Sequence, residues 1–292
     1  MPGAMEPVVA IHGGAGDGVD ASAEEEASIR AALEEALAAA ADALGRGGEA
    51  TNAVQAAVVV MESCELFNAG CGSALCADGS VEMSAAVMRS DRSAGAVAAV
   101  KHCEHPILAA AAVLDSPQVL MVGEAADALA ASCGLEQRPS KYFITARQRA
   151  RLHDRDTAPD HATVGAVCVD RRGRLAAATS TGGIRGQPPG RVGDSPIIGA
   201  GTWADAGVAV SCTGDGEVFV RSGAARQIAF EAGRGVPVAQ AAERALRDVE
   251  DLGGRGGLIA VDRGGRVAMP FVTRTMPRGT WRARAGTSIW PR

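Results

Sequence analysis

Thr163-Val-Gly-Ala-Val167 opens an apolar strand midway along the chain, directly after a polar segment. It is followed by Thr179-Ser-Thr-Gly-Gly183 and Gly190-Arg-Val-Gly-Asp-Ser-Pro196. A threonine hydroxyl inside a chain is a weak nucleophile, because its own backbone nitrogen is a non-basic amide. Cleaving the bond before it turns that nitrogen into an amine of pKa about 7.7 to 8.0, near enough to neutrality to accept the hydroxyl proton. The pattern predicts a precursor that cleaves Ala162–Thr163 and so makes its own reactive N-terminus.

The surrounding pattern is that of a sheet protein with helices on its faces. Thr163–Val169 and Leu175–Ser180 flank the turn Asp170-Arg-Arg-Gly173, and Leu258–Val261 and Val267–Phe271 flank the similar Asp262-Arg-Gly-Gly265. Both read as hairpins, and two helices, about 223–233 and 237–251, are expected between them. Upstream, Glu6 to His12 reads as a buried strand running into Gly13-Gly-Ala-Gly16. A helix follows from about Ser22 to Leu44, with Ile29, Leu33, Leu37, Ala40 and Leu44 at three- and four-residue spacing and glycines at its end. Thr51 is expected to cap a second helix with Val54, Ala57, Val58 and Met61 on its inner face. Residues 80–88 and 94–100 read as paired strands, Pro106 as the start of an Ala/Leu helix, and a further strand and helix run to Cys133. These elements predict an α+β fold, a four-layer α/β/β/α sandwich of two mostly antiparallel sheets.

From Gly134 to Ala162 the apolar spacing fades, and Arg147, Arg149, Arg151, His153, Asp154, Arg155 and Asp156 crowd together before Pro159-Asp160. This reads as an exposed linker over about 135–162. Residues 1–162 and 163–292 would then be two subunits of one structural domain after cleavage.

At 292 residues, 47% apolar and 22% charged, the chain is long enough for a substantial core. Only 3% is aromatic and 37 residues are glycine, so that core must be closely packed Ala, Val, Leu and Ile. A net charge of −5, with arginines spread rather than lined up, argues against nucleic-acid binding. No stretch reaches the ~18 apolar residues of a membrane span, and no secretory signal is seen. Seven cysteines at irregular spacing read as reduced thiols of a cytoplasmic protein. His102-Cys-Glu-His105 reads as no metal site, since neighbouring residues cannot all face one point and no second ligand pair stands at a recognised spacing. Gly13-Gly-Ala-Gly-Asp-Gly18 lacks the Lys-Ser/Thr of a phosphate loop. Gly199-Ala-Gly-Thr-Trp-Ala204 leads into a strand rather than a helix, so neither reads as a nucleotide site.

Several ordered motifs together resemble the asparaginase and isoaspartyl-peptidase group of N-terminal-nucleophile hydrolases. They are Ile11-His-Gly-Gly-Ala-Gly16, Phe67-Asn-Ala-Gly-Cys-Gly-Ser73, Ser93-Ala-Gly-Ala-Val97, the Thr163 strand, Thr179-Ser-Thr-Gly-Gly183, Gly190-Arg-Val-Gly-Asp-Ser-Pro196, Gly199-Ala-Gly-Thr202 and Thr213-Gly-Asp-Gly-Glu217. The resemblance spans nearly the whole chain. It implies hydrolysis of β-aspartyl amides, in asparagine or β-aspartyl dipeptides, and an (αβ)₂ assembly. It also implies no required cofactor, while allowing a structural sodium ion near the loop before Phe67. It carries the nucleophile to Thr163 and its polarising neighbour to Thr181. The oxyanion hole falls to Thr213 and Gly214, the substrate α-carboxylate to Arg191, and the α-ammonium to Asp194 with the Gly216 carbonyl. A zwitterionic head needs one cation and one anion in fixed relation, and the planar fork of arginine suits a carboxylate.

The chain departs from that pattern at Ser84 and Arg89, where acids are usual, at Ala162, where glycine is usual, and at Ile184-Arg-Gly-Gln-Pro-Pro189. Three other readings stay open. A glycosylasparaginase-like hydrolase is the nearest, although its relatives tend to carry Asn where this chain has Gly182. A related endopeptidase would typically lack the Asp194 equivalent. A homologue that never cleaves and serves as a scaffold is the third.

Overall fold

A computed structural model describes residues 5–17, 22–153 and 163–292; Ala162 lies outside them. The first half runs β1 (Val8–His12), α1 (Ala23–Gly45), α2 (Ala50–Ser63), β2 (Met83–Arg89), β3 (Ala94–Val100), α3 (Pro106–Leu114), β4 (Leu120–Val122), α4 (Glu124–Ser132) and α5 (Ala146–His153). The second runs β5 (Val164–Val169), β6 (Leu175–Thr181), β7 (Thr202–Ala204), β8 (Val208–Gly214), α6 (Gly216–Ser222), α7 (Ala224–Gly233), α8 (Val238–Asp251), β9 (Gly256–Asp262), β10 (Val267–Ala268), β11 (Arg278–Arg282) and β12 (Gly286–Trp290).

An aspartate closes each of the two expected hairpins. Asp170 Oδ1 accepts the N–H groups of Arg172 (2.8 Å) and Arg174 (3.0 Å), while Oδ2 holds Arg174 Nε at 2.7 Å. Asp262 does the same with Gly264, Arg266 and the Arg266 side chain. A side chain that satisfies its own turn fixes the turn's length, and the length fixes the register. In β5–β6 that register sets Val164 opposite Ser180 and Gly165 opposite Thr179, so Thr163 arrives beside Thr181.

Eight strands form one sheet in the order β12-β11-β1-β5-β6-β2-β3-β4, antiparallel except for β3–β4, and β10-β9-β8-β7 form the second. α1, α2 and α3 cover the outer face of the large sheet; α7 and α8 cover the small one. The two sheets face each other through β1, β5 and β6 on one side and β7, β8 and β9 on the other. The fold is α+β with four layers, as the sequence predicts. Its core falls into two clusters, one beneath the first helices and one between the sheets and under α7 and α8.

Ser22 Oγ caps α1 by accepting the Glu25 N–H, and Glu24, Glu25 and Glu26 complement the positive end of the helix. α2 starts two residues earlier than expected, at Ala50. Its cap is Glu49, whose N–H is taken by Asn52 Oδ1 at 2.9 Å, and Thr51 lies buried within the first turn instead. The linker also differs from the expectation. Phe143 is fully buried in the first core cluster, Gln148 of α5 donates to the Gly72 carbonyl at 2.7 Å, and only residues 154–162 remain outside the described set. One aromatic ring in a polar stretch is enough to dock it. α6 and the β11–β12 hairpin, which pairs with β1, were not apparent from the sequence pattern.

Candidate active site

Thr163 stands at the entrance to β5 and Thr181 at the end of β6, both buried. Thr163 Oγ1 donates to Thr181 Oγ1 at 3.1 Å, and Thr181 Oγ1 also accepts the Gly183 N–H at 3.0 Å. A hydroxyl whose proton is already engaged by a fixed acceptor has its oxygen lone pairs turned outward for attack. The two threonines line one shallow cleft with Gly214 on one side and Arg191, Gly193, Asp194 and Ser195 on the other. Ile184, in the stretch that departs from the family pattern, lines the cleft as well.

Arg191 and Asp194 do not form the surface ion pair that Arg-x-x-Asp usually makes. Arg191 Nε and Nη2 both bind the Glu217 carboxylate, each at 2.8 Å, and among the described residues Nη1 has only Gln187 Oε1 at 3.4 Å. Asp194 is almost completely buried, and its Oδ2 has no hydrogen-bond partner among the described residues. Burial pushes its carboxyl up to about 7, against its own and the Ser195 backbone N–H and the charge of Arg191; the Glu217 charge adds to the rise. Keeping an unpaired buried carboxylate ionised costs on the order of several kcal/mol, which is why burial favours its neutral form here.

Gly216 permits this arrangement. A Cβ there would lie 2.9 Å from Arg191 Nη2 and 3.0 Å from Asp194 Oδ1. Gly216 thus underlies the binding groups rather than lining the cleft. Thr213 is fully buried beside Gly214, with its Oγ1 accepting the Ala15 N–H at 3.1 Å, and the Ile11-to-Gly16 motif is thereby tied to the end of β8.

The glycine motif Phe67–Ser73 buttresses the site from behind. Asn68 Nδ2 donates to the Gly183 carbonyl (2.6 Å), Oδ1 accepts Ala74 N–H (2.6 Å), and its backbone carbonyl accepts Gly182 N–H (3.0 Å). At Gly72 an added Cβ would meet the carbonyl oxygens of Phe67 at 2.6 Å and Glu65 at 2.8 Å, so the close turn of this loop admits only glycine there. Among the described residues no group of His, Cys, Asp and Glu could hold a metal. The His102–His105 run is spent instead on Asp127 and Glu62.

A chain of buried groups passes beneath Thr163. His12 Nε2 meets Ser211 Oγ at 2.9 Å, Ser211 meets Thr179 Oγ1 at 2.8 Å, and Thr202 Oγ1 lies 2.7 Å from Thr179 Oγ1 and donates to the Ser195 carbonyl at 2.9 Å. Burial pushes the His12 imidazole down to about 3, with the Thr163 backbone acting the other way, so the ring is neutral at working pH. His12 fits only because its register partner is Gly165, where a Cβ would meet Nε2 at 2.4 Å.

Glu217, Asn68 and His12 all stand in motifs noted in the sequence, yet none had an assigned role there. Ser84 and Arg89, the two departures from acid, are locally satisfied. Ser84 Oγ accepts the Ala99 N–H at 3.3 Å and Arg89 pairs with Asp115 at 3.1 Å.

A family model described as Asparaginase matches residues 5–289. The chain belongs to this family. It is 47% identical over 294 residues to the isoaspartyl peptidase of Salmonella typhimurium, across 93% of this chain and 94% of that protein. It is 43% identical to the isoaspartyl peptidase of Escherichia coli, across 93% and 91%. It is 38% identical to the isoaspartyl peptidase/L-asparaginase of Bos taurus, across 94% and 92%. Among the described residues of this asparaginase-family chain, no helix is long and apolar enough to cross a membrane.

Proposed function

We propose that the protein is an autoprocessed threonine amidohydrolase that cleaves β-aspartyl amide bonds, in L-asparagine and in β-aspartyl dipeptides. The observation that carries this reading is the buried, unpartnered Asp194 carboxylate oxygen in the cleft that also holds Arg191 and the Thr163–Thr181 pair. Asp194 binds the substrate ammonium. Glu217 takes one edge of the Arg191 fork, and the Nη1 end takes the α-carboxylate. The β-carbonyl of a head held this way lies toward Thr163.

In maturation, Thr163 Oγ1 attacks the carbonyl of Ala162. The C–N bond breaks, so that an ester forms and the Thr163 nitrogen leaves as a free amine carrying the hydroxyl proton, and water then hydrolyses the ester to the Ala162 carboxylate and the Thr163 hydroxyl. In turnover that amine takes the Oγ1 proton as the oxygen attacks the β-carbonyl. Gly214 and Thr213 stabilise the oxyanion, ammonia or an amine leaves with the proton, and water hydrolyses the β-aspartyl ester. The family relationship and the names of the relatives support the reaction class.

The protein is further read as an (αβ)₂ assembly of the cytoplasm, and the seven free cysteines accord with a reducing compartment. A sodium ion held by the Glu65 and Phe67 carbonyls would be structural, stiffening the loop that carries Asn68.

Assay on L-asparagine, a β-aspartyl dipeptide and its α-linked isomer tests the pocket. The β-linked substrates should turn over and the α-isomer should not, because its free carboxylate sits on the wrong carbon. Equal turnover of the two isomers would refute the head assignment.

A further inference from the structure

Alternation along β6 turns Thr179 and Thr181 toward the inter-sheet side and Ser180 toward the helices. There Ser180 meets Glu62, near the end of α2, a fully buried carboxylate outside the cleft. Glu62 Oε1 accepts from Ser180 Oγ at 2.6 Å and from the Ile107 N–H at 3.0 Å, while Oε2 faces His105 Nδ1 at 3.5 Å. The Glu62 backbone carbonyl accepts the Cys71 N–H at 2.7 Å, tying the same residue to the glycine loop that carries Asn68.

A fully buried carboxylate is costly to maintain, and simple packing of α2 against the sheet would be served by an apolar side chain. Glu62 Oε1 does supply a short acceptor contact, 2.6 Å from Ser180 Oγ. That bond acts at one point of β6. Ser180 lies between Thr179 and Thr181, and its register partner across the hairpin is Val164, the residue after the candidate nucleophile. A slip at Ser180 would therefore displace both members of the 3.1 Å threonine pair relative to each other.

We propose that Glu62 is a positioning residue for the reaction: through Ser180 it holds β6 where Thr181 Oγ1 can hydrogen-bond and orient the Thr163 hydroxyl. The inference rests on Thr163 as the nucleophile. It assigns a role in catalysis to a group that touches neither substrate nor the reacting atoms.

The test compares Ser180→Ala, Glu62→Ala and Glu62→Gln for rate of chain cleavage, for kcat and KM per cleaved site on a β-aspartyl dipeptide, and for Tm. Ser180→Ala should slow cleavage and lower kcat about tenfold while KM stays within about twofold, since the binding groups are untouched. Glu62→Ala should lose at least as much. Glu62→Gln, whose amide oxygen can still accept from Ser180 and Ile107, should recover to within about threefold of the parent. An unchanged kcat per cleaved site in Ser180→Ala, even with a lowered Tm, would show Glu62 to be only a structural link and overturn the proposal. So would Glu62→Gln as impaired as Glu62→Ala, a comparison that stands even if Ser180→Ala fails to fold. Thr163→Ala is run alongside. Turnover by that variant would overturn the nucleophile reading itself, a failure that the Ser180 and Glu62 variants cannot produce.

Discussion

The two sides of the cleft are built in different ways. The hydroxyl side is carried by strands. Thr163 and Thr181 meet because the Asp170 turn sets the β5–β6 register, and Gly214 ends β8 in the facing sheet. The head side is carried by the loop between β6 and β7, and its geometry comes from charge and from absent side chains. Glu217 clamps Arg191, Asp194 Oδ2 is buried with no partner among the described residues, and Gly216 keeps clear the space both occupy. On the function proposed above, chemistry that needs a fixed 3 Å contact rests on strand register. Recognition is placed where a few contacts can be changed without moving the sheets.

If that division is right, head-side substitutions should cost substrate turnover and spare maturation, since the scissile bond before Thr163 presents no free α-carboxylate or α-ammonium. Arg191→Ala should lower kcat/KM on asparagine and β-aspartyl dipeptides by about 2 to 4 kcal/mol, the usual loss for one partner of a desolvated charge contact. Chain cleavage, followed by gel, should remain close to the parent rate. Asp194→Ala should behave alike. Cleavage abolished by Arg191→Ala would break the division.

A smaller effect is expected at Gly216. The added methyl of Gly216→Ala must push Arg191 Nη2 or Asp194 Oδ1, which would lie 2.9 and 3.0 Å from it. KM should rise about tenfold with kcat changed less, because ground-state and transition-state binding suffer together. Steady-state kinetics at saturating and limiting substrate separate the two parameters.

The mildest probe is pH. Asp194 titrates near 7 and must be ionised to hold an ammonium, so protonating it as pH falls weakens binding. The Thr163 amine, of ordinary pKa about 7.7 to 8.0, must be neutral to accept the hydroxyl proton. Both act on the free enzyme, so kcat/KM should fall toward acid with two-proton steepness. A bound ammonium keeps Asp194 ionised, so kcat should fall with one-proton steepness. Profiles of kcat and kcat/KM between about pH 5 and 9 decide it, and identical limbs would remove Asp194 from the head site.

What the sequence made legible follows the same division. The β5–β6 hairpin, α1 and the ordered Thr, Arg and Asp motifs are local patterns, and the four-layer arrangement follows from grouping such elements. The Glu217–Arg191 clamp spans 26 residues and the Glu62–Ser180 bond 118. No periodicity announces contacts of that range. Thr51 reads as a cap because its hydroxyl suits one, whereas Glu49 and Asn52 satisfy the helix start and leave Thr51 to be buried. Phe143 was hidden by the arginines that follow it. The β11–β12 hairpin was hidden by its charges, which suit a sheet edge as well as a tail.

The account stands or falls on the bond before Thr163, and intact-mass measurement of the purified protein during incubation reads that bond directly. The predicted result is conversion of the 292-residue chain into pieces of 162 and 130 residues (292 − 162 = 130), with activity rising in step and no conversion in Thr163→Ala. Full amidohydrolase activity from a chain that stays whole would contradict it.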